Sequence, residues 1–394
     1  MSLARFTRSC LFSAILVVLL CASARAQAAG APCTPDFPMQ TGQAHGWLGA
    51  DAAYSIPLSG GRDLWIFGDT LYGAERVVEG NVPQMVRNSI GVSTCRGGHW
   101  NIRYAIRHDA QGKPADFFHA QHPNTWYWAL DGFRVGSDVW VTLLCIRATD
   151  DKSGMGFATC GSDLARIESP GPESLGSESP GSESPGPDPQ QWKITYFPLV
   201  ADGVQAYPSA TTVVDGHYAD LFALDEQGSK PLIAARVPLS GMNDPQGNLE
   251  YLARDGQWQK GFKPADAQAV MTPGTSELSI RYHPELKRWL AIMFDPTPFS
   301  PKILLRSAPA ATGPWTDGQT IYSVPETKPG TPGYDKDTFC YAGKEHPEFE
   351  HGDLVFTYVC NTFSVPKLAS NLNIYFPRVI RVPMPTLPEA SPAQ

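Results

Sequence analysis

Residues 47–70 read Trp-Leu-Gly-Ala-Asp-Ala-Ala-Tyr-Ser-Ile-Pro-Leu, a Ser-Gly-Gly-Arg turn at 59–62, then Asp-Leu-Trp-Ile-Phe-Gly-Asp-Thr. Two apolar runs around a Gly-Gly turn predict an antiparallel hairpin. An aspartate stands at each open end. With the turn centred near Gly60 and Gly61, Asp51 falls almost opposite Asp69 or Thr70. Opposed residues on one face have Cβ atoms roughly 4.5–5.5 Å apart. Carboxylates that close repel unless water, a proton or a cation separates them. A pair of this kind at a strand mouth predicts an active site.

The hairpin pattern recurs along the chain. A first unit holds Tyr54–Leu58, Leu64–Phe67, Ser89–Thr94 and Trp100–Tyr104. A second holds Gly132–Gly136, Val139–Cys145, Phe157–Gly161 and Trp192–Tyr196. A third holds Ala210–Val214, Tyr218–Leu224, Leu232–Val237 and Leu249–Leu252, and a fourth holds Leu278–Tyr282, Trp289–Phe294 and Ile303–Ser307 with Trp315 after them. The fifth holds Phe339–Gly343, Leu354–Cys360 and Tyr375–Val382, with one strand undefined. Repeating four-stranded units predict an all-β fold, a five-bladed β-propeller with antiparallel blades around a central channel. The irregular spacing leaves a sandwich or a six-bladed ring open. In a propeller the start of each first strand and the end of each second strand ring one mouth. Those positions carry Asp51 and Asp69, then Asp131, then Glu277 and Asp295; the third unit offers Ser209.

The N-terminus predicts export. Arg5 and Arg8 precede an apolar run from Leu11 to Leu20, and small residues follow up to Ala28. This is the pattern of a signal peptide over 1–28, cleaved after Ala26 or Ala28. The run is shorter than the roughly 20 residues of a membrane span. A secreted or periplasmic protein with no membrane span is expected. Six cysteines lie beyond the leader. Their placement on the predicted hairpins favours Cys145–Cys160 and Cys340–Cys360, leaving Cys33–Cys95. A single domain is expected over 29–385. A Ser/Pro/Gly/Glu-rich tract at about 168–190 has almost no apolar side chains and reads as a disordered insertion. Residues 386–394 read as a loose tail. The net charge of −8 disfavours nucleic acid as a partner and suits a soluble monomer acting on a neutral or weakly charged substrate.

The first-unit motif, Gly-Ala-Asp-Ala-Ala-Tyr-Ser-Ile-Pro-Leu with Leu-Trp-Ile-Phe-Gly-Asp-Thr, resembles the first blade of a domain-of-unknown-function family of five-bladed β-propellers. Some members are endo-D-arabinofuranases, and arabinanase and fructan-hydrolase propellers are related. Further matches are Arg87–Ser93, Asp131-Gly132-Phe133, Glu277–Tyr282 and Lys344-Glu345-His346-Pro347, across roughly residues 45–382 without the Ser/Pro/Gly tract. The family usually has Gly after the first Asp, where this chain has Ala52. The resemblance implies a glycoside hydrolase acting on a furanoside polysaccharide, most simply a D-arabinan-like polymer.

Glycoside hydrolysis commonly uses two carboxyl groups, one donating a proton and one activating water or attacking the sugar. Carried over, Asp51 acts as base or nucleophile and Asp69 as acid. A competing assignment pairs Asp51 with Glu277 across the channel and leaves Asp131 to orient or tune. Each acid has a plainer alternative: turn residues for Asp69 and Asp131, and an ion pair with Arg281 or Arg87 for Glu277. Substrate-contact candidates are Arg87, Asn88, Arg281 and His346, with Trp47 and Trp128 as stacking surfaces; Trp126 and Tyr127 share that position. For His346, sugar contact or a structural role is favoured over catalysis. The chain has no Gly-x-Ser-x-Gly elbow, phosphate loop or His-Glu-x-x-His motif. The chemistry requires no cofactor and no catalytic metal; abundant oxygen ligands leave a structural calcium in the channel open. A non-catalytic propeller that binds a glycan or protein on the same face is the alternative function.

Overall fold

The computed structural model describes residues 33–37, 46–73, 84–151, 156–170 and 188–387. The expected leader, most of the Ser/Pro/Gly-rich tract and most of the C-terminal tail lie outside them.

Five antiparallel sheets follow one another along the chain. In each, the first strand in sequence is innermost. The first sheet runs Trp47–Pro57, Arg62–Tyr72, Ser89–Arg96, His99–Ala105, with Gln84–Val86 also paired to the second strand. The second is Thr125–Val135, Asp138–Ala148, Phe157–Ile167 and Ile194–Ala201. The third begins with Pro208–Asp215, Tyr218–Leu224 and Leu232–Pro238 and continues into short outer strands. The fourth is Leu278–His283, Arg288–Phe294, Lys302–Ala308 and Gln319–Ser323. The fifth has three strands, Thr338–Glu345, Asp353–Thr362 and Arg378–Pro383. Its undefined strand in the sequence reading corresponds to no fourth strand among the described residues; the short helix Val365–Ser370 lies between its last two strands.

The sheets form a five-bladed propeller because each apolar face is covered by the next blade. Tyr54, Ile56 and Leu64 of the first blade pack with Val139, Val141 and Leu143 of the second. Phe133 and Trp140 pack with Leu221 and Val237 of the third. Phe222 and Leu232 meet Leu278 and Met293 of the fourth, and Ile292 and Ile303 meet Phe356 and Tyr358 of the fifth. The ring closes where Trp65 and Phe67 of the first blade pack against Val355, Phe349 and Phe376 from the last. Inner strands are covered on both sides, so the first reads as a near-continuous apolar run.

All three disulfides pair as expected: Cys33–Cys95, Cys145–Cys160 and Cys340–Cys360. Cys340 faces Cys360 directly across adjacent strands. Cys33 anchors the N-terminal segment to the first blade, and Phe37 meets Trp65 and Trp100 edge-on. No helix among the described residues is long and apolar enough to cross a membrane.

The inner strands share an irregularity that alternation alone does not reveal. Pairing shifts register between Ala50 and Tyr54, between Ala129 and Gly132, between Pro208 and Thr211, and between Tyr341 and Lys344. A bulge inserts an unpaired residue and re-aims its side chain. Four of the five inner strands are therefore bent, and the bends carry Asp51, Asp131 and the approach to Lys344. The fourth blade is regular; Glu277 immediately precedes its inner strand.

Candidate active site

Asp51 occupies the first bulge. Ala50 pairs with Thr70 and Ala52 with Phe67, so Asp51 and Gly68 lie inside the irregular stretch rather than in simple opposition. Ala52 and Ala53 have φ of 66° and 63°. This left-handed conformation explains why the related first-blade motif has glycine at the first of these positions. The Asp51 carboxylate lies across Gly68, where a Cβ would stand 2.4 Å from Oδ1. Glycine at 68 is a requirement of this close approach.

The Tyr341 hydroxyl donates to Asp51 Oδ2 at 2.7 Å and itself accepts from Asn361 Nδ2 at 3.2 Å. Burial, then the Asp51 charge, push the Tyr341 phenol well above its ordinary range, so it remains a neutral donor. Burial, then Asp69 and Glu277, raise the Asp51 carboxyl to about 8, against the opposing pull of Tyr341 and Lys344. The sequence thus brings Asp51, Asp69 and Glu277 into one electrostatic unit.

Asp69 sits at the end of the second strand. Arg87 Nη1 pairs with its Oδ2 and the Trp128 indole N–H donates to Oδ1, both at 3.3 Å. Burial raises this carboxyl to about 6, while Arg87 and Trp128 act in the opposite sense. The Arg87 guanidinium lies 4.5 Å over the Trp126 ring, and its backbone N–H donates to Asp116 at 2.7 Å. Arg87 and Trp128 therefore reach the carboxylate cluster, joined by Trp126.

Glu277 pairs with the Lys344 ammonium, rather than with Arg281 or Arg87. Lys344 is 1 % exposed and lies 4.4 Å from the Tyr54 ring centroid. Burial lowers its affinity for a proton, and Glu277, Asp51 and Asp131 counter that effect. This lysine was visible only as part of the Lys-Glu-His-Pro match. Neither its burial nor its three acidic neighbours has a signature in one sequence. Tyr341 was missed for the same reason: it comes from the last blade and meets the first.

Asp131 has a different setting. Its side chain is fully buried and paired with both Arg281 terminal nitrogens, at 2.9 and 3.1 Å. It also accepts from the Gly132 and Thr212 backbone N–H groups and from the Thr211 hydroxyl. Every lone pair is engaged, and Arg281 is committed to this one acidic partner. The pair locks the second, third and fourth blades together.

Three substrate-contact candidates face protein instead. Trp47 is 1 % exposed and stacks on Tyr104 with centroids 4.2 Å apart. Buried Asn88 accepts from the Phe118 N–H and donates to the Phe118 and Tyr127 carbonyls, joining the first two blades. His346 is buried between the Ser55 hydroxyl, 2.6 Å from Nδ1, and the Thr357 hydroxyl, 2.8 Å from Nε2. Burial, then Arg281 and Lys344, push its imidazole well below the ordinary value, so it stays neutral. Asp295 is bonded within its own loop, to Thr297 and Ser300. That loop lines an open cleft of about 220 Å³, with Glu277 and Tyr341 on its other walls.

A bent inner-strand ring, three half-buried carboxyls with one buried lysine, and an adjoining cleft define the candidate site. A family model described as a domain of unknown function, DUF5005, matches residues 36–383. The chain belongs to the DUF5005 family. The match spans all five blades. No curated protein matches the sequence. Among solved structures, this DUF5005 chain is similar to a proposed hydrolase from Bacteroides ovatus ATCC 8483, at 18 % identity, TM-score 0.64 and 86 % coverage of both chains. It is also similar to an endo-arabinase from Bacteroides thetaiotaomicron VPI-5482, at 13 % identity and TM-score 0.43, covering 89 % of this chain and 98 % of that one. An exo-1,5-alpha-L-arabinanase from a bovine ruminal metagenomic library aligns at 11 % identity and TM-score 0.42, over 85 % of this chain and 92 % of that one. At 18 % identity the likeness to the Bacteroides ovatus structure speaks to the fold alone.

Proposed function

We propose that this DUF5005 protein is an exported glycoside hydrolase of a furanoside polysaccharide, with D-arabinan as the first polymer to test. The observation that carries the reading is the convergence of the half-buried carboxyls of Asp51, Asp69 and Glu277 beside an open cleft. Acid–base cleavage needs one carboxyl that keeps its proton and another that has lost it. Asp51 has the surroundings of the first kind. Asp69, beside Arg87, and Glu277, on Lys344, have cationic partners suited to the second. Asp51 is therefore assigned as proton donor, reversing the roles first given to Asp51 and Asp69. Asp69 or Glu277 activates water or attacks the sugar. Arg87, Trp126 and Trp128 orient the sugar at the mouth. Asp131 and Arg281 hold the inner strands in position. The substrate class rests on the first-blade resemblance. Export rests on the leader pattern, with three disulfides in keeping with it.

The test is hydrolysis of D-arabinan and of aryl furanosides by the purified mature chain and its single-carboxyl variants. Asp51→Asn should fail on the polymer yet retain turnover of aryl substrates with good leaving groups, which need little protonation. Asp69→Gly or Glu277→Gly, whichever removes the base or nucleophile, should regain activity with added azide. Azide rescue of the Asp51 variant that yields a glycosyl azide of inverted anomeric configuration would restore the original roles. Absence of products from every furanoside polymer, with retained glycan binding, would make the propeller a binding module.

A further inference from the structure

A second cluster of chemistry-bearing side chains lies at the opposite ends of the same inner strands. Glu277 precedes the fourth inner strand and His283 ends it, five residues beyond Leu278. At about 3.3 Å per residue this is roughly 17 Å along the channel wall. His283 meets Glu345, the last residue of the fifth inner strand, and Glu350 from the turn that follows. One donor atom from each lies within 4.8 Å of the other two. His283 and Glu345 are buried, and Glu350 is half-buried. The proposed hydrolytic chemistry uses none of them.

The orientations are those of a ligand set. Glu345 Oε1 lies 2.8 Å from His283 Nε2. Its other oxygen, Oε2, is buried and receives no N–H or hydroxyl, and the Glu350 carboxyl lies within hydrogen-bond reach of this carboxylate. A carboxylate oxygen in that position carries a desolvation penalty that a cation would remove. The far ring nitrogen, His283 Nδ1, is 3.0 Å from Glu285 Oε1. A carboxylate on one imidazole nitrogen fixes the ring and turns the other toward Glu345, and such a carboxylate behind the ring is the support that zinc-bound histidines have. Glu350 is further fixed by the Val355 N–H at 3.1 Å, and Glu345 by the Ser279 hydroxyl on its backbone N–H at 2.8 Å.

We infer that His283, Glu345 and Glu350 form a structural binding site for a divalent transition-metal cation of the zinc type, at the channel mouth opposite the carboxylate cluster. One imidazole with two carboxylates suits zinc, whose ligands are nitrogen, sulfur and carboxylate oxygen. Calcium prefers six to eight oxygens and is poorly served here. The ion would join the fourth blade to the fifth, where the ring has one strand fewer. The site is independent of the hydrolase reading.

The experiment uses the whole mature chain, stripped by chelator and titrated with Zn2+, with Ca2+ and Mg2+ as controls. About one zinc per chain should bind, with a rise in melting temperature that neither control reproduces. Glu345→Gln should weaken zinc binding by at least about tenfold, and Glu350→Gln, at the half-buried position, supplies the same reading should the first variant fail to fold. No zinc uptake by the stripped wild type would overturn the site and leave an imidazolium–carboxylate network. Equal uptake by wild type and both variants would also overturn it, by moving the ion elsewhere.

Discussion

Asp51 and Asp131 are the same residue type at the same kind of place, the bulge of an inner strand, in neighbouring blades. Their surroundings are opposite. Asp131 has a bidentate arginine, two backbone N–H donors and a hydroxyl. Asp51 has a phenol, a lysine shared with Glu277, and two further acids nearby. A buried carboxylate with complete compensation is a fixed part of the frame. One with partial compensation can exchange a proton at working pH. The difference teaches that a shared motif position does not confer a shared role; the donors around it do.

The largest break in this comparison should come from Asp51→Asn. Under the role proposed for it, its loss is expected to cost about 10³-fold in turnover of polymer, within the usual range for acid–base groups. The same variant has a thermodynamic signature. The folded carboxyl is raised from 3.8 to about 8, so it holds its proton more tightly folded than unfolded. Its contribution to stability is complete below the unfolded value and is lost as pH rises through about 8. The amide that replaces it does not titrate, so the melting-temperature difference, variant minus wild type, should be more positive near the folded value of about 8 than near the unfolded value of 3.8. A flat difference would show that Asp51 is not shifted upward.

Asp131→Asn should act on the frame. It leaves Arg281 buried beside a neutral amide, and breaking a buried pair this way is expected to cost about 3 kcal/mol in a denaturant melt. A cost as small as that of an exposed ion pair would erase the contrast. Gly68→Ala sharpens it from the other side. The new methyl would displace the Asp51 carboxylate, and misplacement by about 1 Å is expected to lower turnover about 10²-fold with little change in melting temperature. The smallest effect belongs to the cross-links. Loop-closure entropy makes Cys33–Cys95, with a sequence separation of 62, worth about 1 kcal/mol more than Cys145–Cys160, with a separation of 15. Paired serine variants compared by thermal melts check this order.

The blades were legible because strand alternation and turn residues are local. Two of the cysteine pairs were legible because each hairpin brings its own partner close. The local alternation breaks at the bulges. Simple pairing of residues 47–70 sets the two aspartates face to face across a hairpin, whereas Asp51 lies in an irregular stretch over Gly68. Ala52 was a clue: glycine in the related motif marked a positive φ, and this alanine keeps that conformation. Contacts between distant blades were not legible. Arg281 lies four residues beyond Glu277, a spacing that suggested an ion pair, yet it reaches Asp131, 150 positions away. Trp47 and Asn88 had the composition of sugar ligands and the burial of joints between blades. Nothing in Lys-Glu-His-Pro announces that its lysine is enclosed with three acids.

Asp51 comes from the first blade, while the phenol and ammonium that act on it come from the fifth. During synthesis the first-blade carboxyl emerges nearly three hundred residues before Tyr341. A ribosome-bound chain carries it as an ordinary solvated aspartate. Burial, Asp69 and Glu277 raise its affinity for a proton, and the last blade supplies the phenol and ammonium that hold that rise back, so its final proton affinity is set only when the ring closes.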